Sequence, residues 1–339
     1  MRKFTLIILG ICILFLQTIY SQKKSNLEKL EIRGNVKKIE YFLLHFDNAG
    51  SNRQPWIVET YNTDGNIVER SVFQDGQISS KVISFYDNRG RNIGNNAFSS
   101  SLDKTLTAPS KTELILDATG NVAVMRVYPA SDNSKPDLEY TYKYNVRGNE
   151  IERNYGKAIG KSVMTFDKNN NKTSETNSNG AGVVYGKNFT EYNEKNQKTK
   201  LSIYDYETLR YEIRYKYDEK ERLSEIETHE FNAVPNVRYY HAPEAGKVIY
   251  TYNEKRKTSW TTKYLLNGNL LPNSITISDE RGNQIGLSCE SGEITNCKTV
   301  FEYVFDTQDN LVKKICYRRD FNKGVLQLSW AEERVISYY

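Results

Sequence analysis

Three histidines, three methionines and three tryptophans are all that 339 residues contain, together with seven prolines and four cysteines. Scarce histidine leaves little from which to build a hydrolase triad or an imidazole-rich metal site, and neither H-E-x-x-H nor G-x-S-x-G occurs. Charge of one sign is lacking too: 47 lysines and arginines face 42 aspartates and glutamates, interspersed as on an ordinary solvated surface. That balance does not imply nucleic acid as a partner. No window carries a capped apolar stripe of helical period, so helix is expected to be minimal, one turn at Leu27–Leu30 at most. No Pro/Gly/Ser-rich linker divides the chain, which reads as one domain over residues 22–339. The polar stretch from Asn95 to Lys111 reads as a longer loop.

Long hydrophobic runs are absent except at the N-terminus. There Arg2 and Lys3 precede an apolar run from Phe4 to Ile19, and Tyr20-Ser21-Gln22 offers a small residue for cleavage. That is the layout of a secretory signal peptide over residues 1–21. The run of 16 residues is short of the ~20 that span a bilayer comfortably. Ile11 before Cys12 does not suit lipidation. The mature chain is therefore expected to be secreted, periplasmic or on the cell surface, without stable membrane insertion. Its net charge, once Arg2 and Lys3 are removed, is +3.

What the sequence has in quantity is tyrosine, 25 residues, with 13 phenylalanines, 20 glycines and many asparagines and threonines. That mixture suits an all-β chain with many short connections. A pattern recurs through it: an aromatic residue, then Asp or Asn, then a turn former three positions on. Allowing two lapses at the aromatic, eleven copies start at Phe46, Tyr61, Tyr86, Leu116, Tyr144, Phe166, Tyr192, Tyr217, Tyr252, Ser278 and Phe305. Starts lie 15 to 35 residues apart, mostly 22 to 30, a spacing that marks a repeat array.

Each position of the copy has a chemical reason. The Asp or Asn, as at Asp87, Asn145 and Asp279, can accept a hydrogen bond from the backbone two residues on and so start a turn. The fourth turn position is glycine in six copies, among them Gly90, Gly148 and Gly282, where it takes positive φ without steric cost. Asn170, Asn196 and Asp309 are tolerant substitutes, whereas Glu221 and Arg256 are poor ones, so those two turns are expected to be looser or of another type. The aromatic ends the incoming strand and is expected to pack across to the outgoing one. Flanks such as Tyr140/Tyr142/Tyr144 and Tyr211/Ile213/Tyr215/Tyr217 alternate with period two, as half-buried strands do. The expected fold is all-β: about eleven β-hairpins in one continuous curling antiparallel sheet, with a β-propeller of paired repeats as the alternative.

The turn YDNRGR at Tyr86–Arg91 resembles the tyrosine–aspartate repeats of RHS/YD-repeat proteins, in degenerate form from about Asn35 onward. The segment YNTDGNIVERSVFQDGQIS is similar to the Gly-centred hairpins of MORN-like antitoxin proteins. The RHS resemblance implies a curling β-sheet acting as shell or scaffold, here without a C-terminal enzymatic cargo domain. The MORN-like resemblance implies an immunity or inhibitor-type role outside the cytoplasm.

Once Cys12 leaves with the leader, Cys289, Cys297 and Cys316 remain. The cysteines bracketing a loop, Cys289 and Cys297, are the expected disulfide in an exported chain, leaving Cys316 buried and inert or paired with Cys297 instead. His45 falls in an expected strand. His229 and His241 have carboxylates nearby, but no nucleophile motif accompanies either. The turn residues lack the spacing of a calcium loop. Trp56, Trp260 and Trp330 are too scattered to define a site. No catalytic residue, metal or cofactor is expected. The expected function is a non-enzymatic scaffold or binding protein of the cell envelope that contacts polysaccharide or another surface protein, with an inhibitor-type protein or a propeller-type enzyme as the alternatives.

Overall fold

The computed structural model describes residues 25–339 apart from 46–54, 101–105, 157–158, 232–245, 266, 272–274 and 321–323. The expected leader and the turn copy at Phe46 lie outside the described residues.

A one-turn helix α1 (Asn26–Lys29) comes first, followed by β1 (Val36–His45), β2 (Pro55–Tyr61), β3 (Ile67–Gln74), β4 (Gln77–Tyr86), β5 (Asn92–Ser99), β6 (Ser110–Leu116) and β7 (Val122–Tyr128). Next are β8 (Leu138–Tyr144), β9 (Glu150–Asn154), β10 (Lys161–Phe166), β11 (Lys172–Ser178), β12 (Val184–Tyr192), β13 (Lys198–Asp205), β14 (Thr208–Tyr217) and β15 (Leu223–Glu230). The last are β16 (Gly246–Asn253), β17 (Thr258–Tyr264), β18 (Ile275–Ser278), β19 (Gln284–Cys289), β20 (Cys297–Phe305), β21 (Leu311–Asp320) and β22 (Val325–Tyr338).

Every strand pairs antiparallel with the next one in sequence, from β1–β2 through β21–β22. β22 then pairs with β1, from Val36↔Tyr338 to His45↔Trp330. The result is one 22-stranded sheet closed on itself, eleven hairpins in a single up-and-down barrel. Separate propeller blades would interrupt that pairing, so the propeller alternative does not describe this fold. Closure also removes the two edge strands an open sheet would have to protect.

The turns after the even-numbered strands β2 to β20 share one rim. In nine of them the first Asp or Asn uses Oδ1 to accept the N–H groups two and four residues on, as Asp87 does from Arg89 and Arg91, both at 2.9 Å. The backbone closes as a type I turn with a bulge: Gly90 N–H donates to Asp87 C=O at 3.0 Å, and the register slips by one residue at Tyr86. The fourth turn residue has positive φ in all nine, from 61° at Asn196 to 90° at Gly120.

Glu221 belongs to this set, with φ 64° and both Asx bonds from Asp218. The expectation of a looser turn there is therefore wrong. Its side chain is engaged by Lys195 from the preceding turn, and its carbonyl accepts from Gln197 at 2.9 Å, which compensates a residue poorly suited to positive φ. The Tyr252 turn does differ: Asn253 Oδ1 accepts from Arg256 N–H at 3.0 Å, Lys257 takes the positive φ of 50°, and the register runs on without a slip. The expected Asn95–Lys111 loop is shorter than it reads, because Asn95–Ser99 belong to β5 and Ser110–Lys111 to β6.

At the eleventh place on that rim, between β22 and β1, the chain's N-terminal segment substitutes for a turn. Ser25 caps α1, accepting from Glu28 N–H at 3.2 Å, while Glu28 accepts from Ser25 N–H at 2.6 Å. Leu27 is buried with Val36, Ile39 and Tyr61. A second small core, on the other face of the sheet, joins Ile275, Ile277 and Val300 to the two bonded cysteines, with Trp260 packed against it. No large common core exists among the described residues. The sheet is held by neighbour-to-neighbour contacts, as in other repeat arrays.

Candidate functional site

Side chains alternate between a tyrosine-rich face and a charged face. On the first, Tyr211 and Ile213 are buried and Tyr215 and Tyr217 half-buried. On the second, Lys143–Glu152, Lys216–Glu225 and Arg214–Glu212 form ion pairs at 2.6 to 2.8 Å. The tyrosines do more than pack across their own hairpin. Tyr86, Tyr144, Tyr192, Tyr217 and Tyr252 each donate O–H to the carbonyl of the residue that opens the outgoing strand of the preceding repeat: Ile67, Val122, Lys172, Lys198 and Leu223, at 2.8 to 3.1 Å. Where the motif has Phe305, Tyr303 makes the equivalent bond to Gln284 at 2.7 Å. Each hydroxyl thus stitches one hairpin to the next, which explains why tyrosine rather than phenylalanine recurs.

One stretch of the tyrosine face carries charge in a regular arrangement. Six and nine residues after Tyr144 stand Glu150 and Arg153; six and nine after Phe166 stand Lys172 and Glu175. The two units repeat the same positions with the signs reversed. Arg153 Nε lies 2.8 Å from Glu150 Oε1, and Lys172 Nζ lies 2.7 Å from Glu175 Oε2. Arg153 also donates from Nη2 to Glu150 Oε2 at 3.0 Å, a bond that holds its guanidinium above the usual pKa range. The rings of Tyr142 and Tyr155 lie 5.5 and 5.9 Å from that guanidinium. Between the two pairs runs β10, whose Ser162 is buried and donates to Asn177, and whose Met164 and Phe166 are half-buried. The two charged pairs, with Ser162, Met164 and Phe166, line a cavity of about 430 Å³.

A second polar cluster on this face is internally satisfied. The buried Glu59 carboxylate accepts from Tyr61 at 2.7 Å and Tyr41 at 2.9 Å, with Arg70 Nε at 3.4 Å. Burial, then this carboxylate, pushes both tyrosine pKa values up. Lys314 Nζ lies 4.7 Å from the Phe301 ring and 5.8 Å from the Trp330 ring.

Cys289 and Cys297 form the disulfide, tying down a loop whose Gly292 sits against Trp260. Cys316 is free and buried. Asp87, Gly90, Asn145, Gly148, Asp279 and Gly282 all lie in the rim turns, where Gly148 borders the cavity just described and Gly90 a separate hollow beside α1. His45 ends β1, and His241 lies outside the described residues. His229 is on the charged face opposite Glu212, with Nε2 3.4 Å from Glu227. The Glu230 carboxylate is instead taken by the Tyr211 hydroxyl at 3.0 Å. Reading the sequence missed the Glu150/Arg153 and Lys172/Glu175 quartet. Its one signal in the sequence is the reversal of charge at the same two positions of successive repeats.

No helix among the described residues is long and apolar enough to cross a membrane, which says nothing of a barrel. No family model matches the chain. No curated protein matches it. Among solved structures it is similar to a porin-like protein from Bacteroides uniformis ATCC 8492, at 11% identity over 89% of this chain and 98% of that one, with a TM-score of 0.26. It is similar to TcdB2-TccC3 without its hypervariable C-terminal region, at 8% identity over 86% of this chain and only 20% of that one, with a TM-score of 0.29. A third likeness is to the periplasmic gluconolactonase PpgL of Pseudomonas aeruginosa, at 9% identity over 87% of this chain and 96% of that one, with a TM-score of 0.17. Similarity this low transfers neither an activity nor a ligand.

Proposed function

We propose that the chain is an exported, non-enzymatic β-repeat scaffold of the cell envelope that binds polysaccharide on its tyrosine face. The observation that carries the reading is the cavity there, in which half-buried aromatic and thioether side chains stand beside ion-paired polar groups. Such surfaces offer a ligand apolar area and oriented hydrogen-bonding groups together. Side chains converge on the concave side of a closed sheet and spread on the convex side, so the less exposed tyrosine face is the lumenal one in this reading.

The barrel stands in water rather than lipid. A lipid-facing surface needs an apolar band, and a charge at its midplane costs about 2–4 kcal/mol. Both faces carry charge in mid-strand: Arg214 and Glu212 on one, Glu175 and Lys314 on the other. The Cys289–Cys297 disulfide fits export.

The test is a glycan-array screen of the mature chain, expected to return a defined class of polysaccharide; an array blank across all classes would remove the reading. A protein partner, as for an inhibitor, is the second reading. It is favoured by exposed Val183, Tyr185 and Tyr206, which lie together on the rim opposite the repeated turns, where Tyr206 N–H donates to Tyr185 C=O at 2.9 Å. Recovery of one stoichiometric protein in place of a glycan would support it.

A further inference from the structure

We propose that the cavity flanked by β9 and β11 is a subsite for one residue of a neutral, polyhydroxylated saccharide, and that it rejects charged sugars. The inference rests on the polysaccharide reading and gives it a place and a ligand chemistry.

Charge decides the class of ligand. Glu150 and Arg153 on one side, Lys172 and Glu175 on the other, make a quartet of alternating sign whose sum is zero. An anionic group placed to meet Arg153 or Lys172 faces Glu150 or Glu175 at close range, and a cation meets the reverse conflict. Juxtaposed like charges are a strong device against wrong ligands. A hydroxyl, which donates one hydrogen bond and accepts others, can bridge either sign. No other adjacent repeats among the described residues carry opposite charges at both of these positions: the counterparts after Tyr61 are Ile67 and Arg70, and after Tyr192 they are Lys198 and Leu201.

Shape and rigidity agree. The volume of about 430 Å³ falls within the roughly 300–1,000 Å³ of ordinary small-molecule sites. Met164 and Phe166 give an apolar wall against which the C–H face of a sugar ring can rest. Beside them on the same strand and face, Ser162, its hydrogen committed to Asn177, keeps acceptor lone pairs. Arg153 is already fixed between two rings and a carboxylate, so little freedom is lost when a ligand arrives. Gly148 and Asn149 of the rim turn border the cavity, leaving space for a polymer to continue past the rim.

The experiment is isothermal titration of the mature chain with cello-, xylo-, malto- and chito-hexaose, and with a galacturonate hexamer as the charged counterpart. At least one neutral hexaose should bind, with the uronate at least tenfold weaker. Met164→Trp, which fills the cavity without removing a charge, should weaken the neutral hexaose tenfold or more; Glu175→Gln should weaken it severalfold and relieve the discrimination against uronate. Thermal melts of both variants identify any that fails to fold, and either one suffices. Neutral binding untouched by folded Met164→Trp or Glu175→Gln overturns the subsite while leaving the polysaccharide reading standing. Preferential uronate binding overturns the ligand class. If no hexaose binds and the glycan array is also blank, both proposals fall.

Discussion

The Tyr217 hydroxyl donates to the Lys198 carbonyl across 2.9 Å, and in doing so joins one hairpin of the barrel to the one before it. The same bond recurs from Tyr86, Tyr144, Tyr192 and Tyr252. Replacing Tyr217 with Phe keeps the ring and removes only this bond. A neutral hydrogen bond contributes about 0.5–1.5 kcal/mol net, so Tyr217→Phe should lower the unfolding free energy by about 1 kcal/mol in urea titration. Phe166→Tyr is the reciprocal case, since Phe166 sits at the position from which a hydroxyl would reach the Glu150 carbonyl. It should raise stability by a similar amount. A neutral outcome for both substitutions would show that the ring alone matters.

Gly148 isolates the backbone cost of the turn. It holds φ at 79°, and a Cβ built there meets nothing within 4 Å. Any penalty for a side chain is therefore conformational rather than steric. A β-branched residue held at positive φ costs on the order of 1–3 kcal/mol, so Gly148→Val should destabilise by that amount, whereas Gly148→Asn should be close to neutral. Equal stability of the valine variant in chemical denaturation would rule out the need for positive φ at this position.

The sequence made the hairpins and turns readable because their causes are local. Asp87 and Gly90 lie three residues apart, and the chemistry linking them operates over one turn. The alternation of Tyr140, Tyr142 and Tyr144 likewise reports its own face. Closure was not readable. It rests on Ile39 meeting Ile336, residues almost a whole chain apart, and no short-range pattern encodes that pairing. Glu221 was misjudged because intrinsic preference was weighed without the partners Lys195 and Gln197 from the neighbouring turn. The charge quartet sits between these cases: its i, i+3 pairs are local, but their opposition across β10 appears only in the folded sheet.

Acid should weaken the rim through its aspartates. Asp167 is held below the ordinary carboxylate range by a hydrogen bond from the Asn171 side chain, then by backbone N–H groups. At Asp87 burial alone would raise the pKa, but the Arg91 side chain and the N–H groups of Arg91 and Arg89 outweigh it, and the net shift is downward. Asp117, Asp218 and Asp306 shift the same way. A carboxylate whose folded pKa is depressed favours the folded state above its unfolded pKa, and that contribution is lost as pH falls through the folded value. The urea midpoint should therefore be flat near neutrality and decline below about pH 4. Asp167→Asn should make that decline shallower, because asparagine keeps the acceptor oxygen and cannot titrate. An unchanged acid profile in this variant would assign the loss to other groups.

The barrel should be weakest where no turn joins two neighbouring strands, at the seam between β22 and β1. Asn310 is buried there and joins three parts of the chain. Its Oδ1 accepts from Arg33 N–H at 2.6 Å, and its Nδ2 donates to Arg33 C=O at 2.9 Å and to the Tyr338 hydroxyl at 3.2 Å. Close by, Tyr339 N–H donates to Asn35 C=O at 2.9 Å. Asn310→Ala leaves both polar groups of Arg33 without these partners, at a cost of about 1–3 kcal/mol for each group left unsatisfied. In an array stabilised by nearest neighbours the effect should stay local. Hydrogen exchange should quicken in β1, β22 and the 25–35 segment, while the amides of β12 to β15, on the far side of the ring, keep their protection. Deleting residues 25–35 should exaggerate the same pattern. If protection were instead lost evenly around the ring, the barrel would be one cooperative unit and the seam would hold no special place in it.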